Sequence, residues 1–247
     1  MSTPPVTGGR RGRPGYDRAR LLDVAVAAFN ERGYDGTGME ELSRRLGITK
    51  SAIYHHVSGK EELLDLAVNR ALDALFAVLD AELDRPAPAP DDAATTPDGL
   101  PRTPEGQTRT PDGQTPTPDG PAPASETPDP AVTATQRLER TVRGAVRVLV
   151  DEQPYVTLLL RVRGNSDVER RALERRREFD HRLASLVAQA AAEGGVRDDL
   201  DPGFAARVLF GAVNSLTEWY RPDGGMTREA VADGLAALLF DGLRRPS

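Results

Sequence analysis

Thirteen of the 20 prolines in this 247-residue chain lie between residues 86 and 130, mixed with Thr, Asp, Gly and Ala and without one aromatic side chain. A segment of that composition buries too little apolar surface to offset the entropy of fixing its backbone. Within it Thr-Pro-Asp/Glu-Gly recurs at Thr96, Thr103, Thr110 and Thr117, a seven-residue period. Proline in every repeat and the missing apolar seam exclude a coiled coil. Residues 86–133 are therefore expected to form a disordered insert acting as a tether, with a partner-binding or phosphorylated tail as the other reading. The folded structure must come from the residues on either side.

On both sides the apolar spacing is helical, and no convincing alternating strand occurs, so the chain reads as all-α. Residues 17–32 carry Leu21, Leu22, Ala25, Val26 and Phe29 as one stripe, with Gly33 placed to end it. Thr37 with Glu40 predicts a capping box for a short helix through Leu46, stopped by Gly47, and Thr49 caps a second over 50–56. Ser58 with Glu61 predicts another box, opening a long helix that runs to the insert. Beyond it, helices are expected from Ala134 to a break near Pro154, from Ser166 with Glu169 to Gly194, from Asp201-Pro202 to Arg221-Pro222, and from Thr227 to Leu243. About nine helices result. The expected division is an arm over 1–15, a head over 16–60, a connecting helix over 61–85, the insert over 86–133 and a body over 134–247.

The composition excludes several classes of function. Zero cysteines remove disulfides, thiolate metal sites and cysteine nucleophiles. The longest apolar runs, 24–29 and 235–240, are far below the roughly 20 residues that cross a bilayer. The first 15 residues are polar, with Arg10, Arg11 and Arg13 but no apolar stretch, so no secretory signal and a cytoplasmic location are expected. No Gly-x-Ser-x-Gly, Walker sequence or His-Glu-x-x-His occurs, which leaves a helical enzyme as the weaker alternative from another class. The net charge of −6 divides unevenly: residues 1–60 carry +4 and residues 86–133 carry −6. An acidic total is thus no argument against a nucleic-acid partner.

Two short helices joined at Leu46-Gly47-Ile48-Thr49 have the spacing of a helix-turn-helix, whose second helix enters the major groove. Thr49, Lys50, Ser51, Tyr54, His55 and His56 give that helix a hydrogen-bonding side, while Ala52, Ile53 and Val57 face inward. Between Asp35 and Lys60 the only acids are Glu40 and Glu41 on the preceding helix, so repulsion of phosphate is low where contact is needed. His55 and His56 are adjacent and point about 100° apart on a helix, which does not suit a shared metal. No metal site and no cofactor are expected.

Residues 27–37 (AAFNERGYDGT) and 39–64 (MEELSRRLGITKSAIYHHVSGKEELL) resemble the DNA-binding domain of the tetracycline-repressor (TetR) family. Val57, where the family usually has phenylalanine, and Ser43, often alanine there, are departures. The resemblance implies that Thr49 and Tyr54 hold phosphates, that Lys50, Ser51 and His55 reach base edges or backbone, and that Lys60 contacts the backbone at a helix N-terminus. Arg10, Arg11 and Arg13 are read as a minor-groove arm or a solubilising tail. The implied partners are a palindromic double-stranded DNA operator, a second copy of the chain, and a small-molecule effector held by an all-helical regulatory domain that dimerises through its last two helices.

Two stripes suit such a seam: Val231, Leu235, Leu238, Leu239 and Gly242, and Phe204, Val208, Ala212 and Leu216; closing the monomer core is the other reading. The arginines of 170–182 are expected on a solvated face with i, i+4 pairs. The stretch ending Glu218-Trp219-Tyr220-Arg221 resembles one in a TetR subgroup whose effectors are acyl-coenzyme A thioesters, while Trp219 also suits interface packing. Arg161, Arg163, Arg177, Asn214 and Trp219 are the candidate effector residues, since guanidinium groups match phosphates. A neutral hydrophobic or aromatic effector is the alternative.

Overall fold

Residues 18–84 and 132–243 are described in this computed structural model; the arginine arm and the proline-rich insert expected above lie outside them. Among the described residues ten helices and no strand occur. In α1 (Arg18–Arg32) the expected stripe is buried, and Gly33 at φ 78° ends it by donating to the Phe29 carbonyl at 2.9 Å. Each such buried leucine or phenylalanine contributes about 1.5–3 kcal/mol relative to exposure.

Thr37 does not cap the next helix, as the capping-box reading had it. It is fully buried, and its hydroxyl faces the carbonyls of Ala28 at 3.2 Å and Gly33 at 2.9 Å, while Gly38 caps α2 (Met39–Leu46) with no side-chain bond. Burial against α1 outweighs the local signal. Thr49 caps α3 (Lys50–Tyr54) as expected, its Oγ1 accepting from the Ala52 N–H at 3.2 Å, but the helix ends at Tyr54, two residues early. The Ser58 box is also displaced by one: Gly59 precedes α4 (Lys60–Leu83), and Ser58 N–H and Oγ meet Glu62, at 2.6 and 2.9 Å, in place of Glu61.

In the body, α5 (Ala134–Asp151) opens on a capping box of Thr133 with Gln136, and α6 (Gln153–Arg161) takes Pro154 in its first turn. Ser166 caps α7 (Asp167–Ala192) and Asp201 caps α8 (Pro202–Asn214), which stops at Ser215; a short α9 (Leu216–Trp219) follows, so the single expected helix to Arg221 is broken. Thr227 caps α10 (Arg228–Leu243) through the Ala230 N–H at 3.2 Å. The long α4 is central: it begins in the head against α1 and packs along α5, α6 and α7, so head and body form one unit. Among the described residues no helix is long and apolar enough to cross a membrane.

Candidate nucleic-acid interface and effector cavities

The α2–α3 turn is fixed from both sides. Gly47 at φ 66° lets the Ile48 N–H reach the Ser43 carbonyl at 3.2 Å, and the Ser43 hydroxyl donates to the Ile48 carbonyl at 2.5 Å. Ser43, noted above only as a departure, thus clamps the turn that aims α3. Ile53 and Val57 anchor α3 in the core, leaving Thr49, Lys50, Ser51, Tyr54, His55 and His56 exposed. The Thr49 oxygen accepts a hydrogen bond from Ala52, which leaves its hydroxyl proton available to a phosphate.

Two lysines are engaged within the protein. Lys50 pairs with Glu40 of α2. Lys60, expected at the DNA backbone, turns inward: its Nζ donates to the Tyr34 carbonyl at 3.0 Å and sits 4.2 Å from the Tyr34 ring centroid. Its first role is to close the α1–α2 loop, because a half-buried ammonium keeps the nearest acceptors. Glu41 is bound by Arg45 and Arg44, which hold its carboxyl down to about 2. Arg45 donates to the carboxylates of Glu31 and Glu41, and these bonds in turn raise its pKa. Among the α2 acids it is therefore Glu40 whose charge lies against the recognition helix.

Head and body are joined through α6. The Tyr155 hydroxyl donates to Asp23 of α1 at 2.5 Å and accepts from Arg70 of α4 at 3.1 Å, and Arg70 also binds Glu152 at 2.9 Å. Burial, then the Asp23 carboxylate, push the Tyr155 phenol well above its ordinary value. Asn30 of α1 donates to the Pro154 carbonyl at 2.8 Å, and Arg161 donates to the Asn30 carbonyl at 2.5 Å. The other face of α6 presents Val156, Leu159 and Leu160 to a cavity inside the body.

The five sequence-predicted effector residues do not converge. Asn214 lines that inner cavity, about 40 Å³ in volume, with Leu72, Leu75, Phe179 and Phe210. Arg177 lines a neighbouring cleft of about 240 Å³ with His181 and Arg207, and Asp180 borders both spaces. Burial raises the Asp180 pKa against the opposing pull of Arg176 and Arg207. Arg161 and Arg163 lie elsewhere, on a cavity of about 180 Å³ between head and body. Trp219 stands apart beside Arg221 and Met226, 52% exposed, its indole N–H donating to the Ser215 hydroxyl at 3.2 Å.

The sequence reading missed Arg176, Arg207 and Asp180. It also took the α7 arginines for a solvated face with pairs along the helix, whereas three of them cross to α4: Arg171 to Asp65 at 3.2 Å, Arg175 to Asn69 at 2.6 Å and Asp73 at 2.7 Å, and Arg182 to Asp80 at 2.5 Å. The matching stripe of acids and amide at 65, 69, 73 and 80 was the available signal.

Residues 21–67 match the family described as bacterial regulatory proteins, tetR family, and residues 131–243 match the one described as tetracyclin repressor-like, C-terminal domain. The chain is 48% identical to SCO3833 from Streptomyces coelicolor A3, a member of the TetR transcriptional regulator family, over 91% of each chain with a TM-score of 0.66. It is 25% identical to the HTH-type transcriptional repressor KstR2 of Rhodococcus jostii RHA1, over 100% of this chain and 99% of that protein. AibR, solved in complex with isovaleryl coenzyme A and operator DNA, shares the fold at 23% identity and a TM-score of 0.63, covering 91% of this chain and 98% of that one.

Proposed function

The chain belongs to the TetR family of transcriptional regulators, and from that premise we propose that it is a cytoplasmic, ligand-responsive repressor binding a palindromic operator as a homodimer. The observation that carries the reading is the exposed face of α3, where Thr49, Lys50, Ser51, Tyr54 and His55 project while Ile53 and Val57 lock the helix into the head. In the dimer, two such helices stand about 34–36 Å apart, one turn of duplex. The apolar surface left on α8 and α10, with Phe204, Val208 and Leu238 more than half exposed, is the seam for the second copy.

The effector is an acyl-coenzyme A, the class to which the isovaleryl coenzyme A bound by AibR belongs. Its acyl end enters the apolar cavity beside Asn214, and Arg176, Arg177 and Arg207 meet its phosphates through charge-assisted bonds. A space of about 40 Å³ must widen to admit an acyl chain, and Val156 and Leu159 on α6 form part of its wall. Displacing α6 moves the same helix that holds Asp23 and Asn30 of the head, which gives the ligand a differential grip on the two states. A neutral hydrophobic effector is the second reading, favoured by the mainly apolar lining of that inner cavity.

Footprinting on the DNA flanking the gene is expected to reveal one palindrome, with Lys50→Ala or Tyr54→Ala weakening binding by about 1–3 kcal/mol. A thioester panel with the matching free acids, titrated into the complex, separates the two effectors. Release by free acids or uncharged aromatics and by no thioester overturns the coenzyme A assignment; no preference for any palindrome over random duplex overturns the operator reading.

A further inference from the structure

The inner cavity and the neighbouring cleft are two stations of one groove between α7 and α8. On α8 the residues Gly203, Arg207, Phe210 and Asn214 keep to one face, and on α7 Ala184, Asp180 and Arg176 run beside them in the opposite direction, with Asp180 lining both spaces. Arg177, His181 and Arg207 stand at the cleft, and Asn214 lies about two turns beyond Arg207 along α8. Between them Phe179 and Phe210 meet edge to face, with ring centroids 4.9 Å apart.

Among the described residues that line the inner cavity, Asn214 is the one neutral polar side chain. Its neighbours at the α8–α9 break are served locally: the Ser215 hydroxyl donates to the Ala212 carbonyl at 2.7 Å and accepts from Trp219 at 3.2 Å, and the Thr217 hydroxyl donates to the Asn214 carbonyl at 2.8 Å. The Asn214 amide itself makes no hydrogen bond among the described residues; it is half-buried and open to the cavity. An alkyl chain filling that space strips water from an amide oxygen and an NH2 group and returns nothing, whereas a hydroxyl accepts from Nδ2 and donates to Oδ1. Arg176 and Asp180, one turn apart on α7, bring opposite charges to the same cavity, so a charged acyl substituent of either sign meets one of them as a like charge.

Resting on the acyl-coenzyme A reading above, we propose that the acyl group carries a hydroxyl and that Asn214 selects it, so that the effector is a hydroxyacyl thioester and the plain alkyl thioester is the poorer ligand. The Asn214 amide pairs with the hydroxyl beyond the two phenylalanines, Arg177 and Arg207 hold the phosphates, and Leu72, Val156 and Leu159 cover the carbon chain. A site that pairs a ligand hydroxyl discriminates by leaving its own polar group unpaired when the wrong ligand binds. With one half-buried amide, the discrimination is that of a single hydrogen-bonded group.

The test is calorimetric titration of the full-length chain, without DNA, with hexanoyl-coenzyme A, its 3- and 5-hydroxy derivatives and the matching 3- and 5-oxo derivatives. One hydroxy derivative is expected to bind at least about tenfold tighter than hexanoyl-coenzyme A, and tighter than the ketone at the same carbon, which can only accept. Asn214→Leu removes the amide at similar size, and in that variant the gap is expected to close while hexanoyl-coenzyme A binds at least as tightly as before. Hydroxy derivatives no tighter than hexanoyl-coenzyme A, or ketones as tight as the alcohols, overturn the hydroxyl in the wild-type chain alone, whatever the variant does. A gap that survives Asn214→Leu, or a loss shared equally by every thioester, overturns the role of Asn214, the second result placing its amide on the thioester or pantetheine. Binding of no thioester at all overturns the acyl-coenzyme A reading and this inference with it, whereas equal binding of all of them overturns this inference only.

Discussion

Lys50 stands on the surface of α3 that faces DNA, yet in the free protein its ammonium is held by Glu40. The pair is exposed, with side chains 46% and 71% accessible, so its strength lies at about 0–1 kcal/mol. That is weak enough for a phosphate to displace, but Glu40 then remains close to the incoming backbone as an uncompensated negative charge. Glu41, one residue on, has no such effect, because two arginines already neutralise it. Glu40→Gln is therefore expected to tighten binding to random-sequence duplex at low salt, by up to about fivefold, with the gain shrinking as salt rises. Fluorescence anisotropy across a salt series checks this; unchanged or weaker binding would place Lys50 away from the phosphates.

At the scale of helices, α4 and α5 come close together where Gly144 of α5 faces Val78 of α4. A Cβ on Gly144 would lie 2.4 Å from Val78 Cγ1, closer than two carbons can sit. Glycine inside a helix normally costs about 0.5–1 kcal/mol relative to alanine, so Gly144→Ala should stabilise on propensity alone. The branched Val78 side chain has few rotamers to escape into, and overpacking of this kind costs about 1–3 kcal/mol. Gly144→Ala is thus expected to lower the stability measured by chemical denaturation, and Val78→Ala in the same chain to recover most of the loss. The contrast with propensity shows which parts of the fold a sequence makes legible. Thr49, Ser166, Asp201 and Thr227 were readable as caps because each acts on an N–H three residues away. Thr37 was not, since its hydroxyl is directed by burial against α1, and the Ser215 break went unseen because α8 and α9 share one apolar run. In the candidate site, the α3 residues were legible from local pattern. The arginine ladder to α4, the inward turn of Lys60 and the separation of Arg161 and Arg163 from Arg177 depend on which helices meet, and no single stretch encodes that.

For the whole molecule, the distribution of exposed apolar surface is as uneven as that of charge. Phe204, Val208, Trp219, Met226 and Leu238 are each about half exposed or more, and all fall in the last fifth of the chain; among the described residues of the head, only Tyr54 on α3 is comparable. Surface leucines scattered singly need no explanation, but Phe204 and Val208 on α8 with Leu238 on the adjacent α10 mark an association face. The small residues between them, Gly211 on α8 with Ala230, Gly234 and Ala237 on α10, are exposed as well and allow a second copy's helices to come close. With Leu238 at 73% exposure, replacing it should leave the chain's own core almost untouched, so Leu238→Arg separates assembly from folding. Wild-type chain is expected to sediment at twice its 26.6 kDa mass, and Leu238→Arg with Val208→Glu as a monomer whose helical circular dichroism is unchanged. Two half-sites joined in one body gain from effective concentration, and a monomer loses that gain, so operator affinity should fall by about 10²–10⁴-fold although every residue of α3 is intact. A double variant that stays dimeric would move the seam off α8 and α10. One that loses helicity would return these side chains to the core of a single chain.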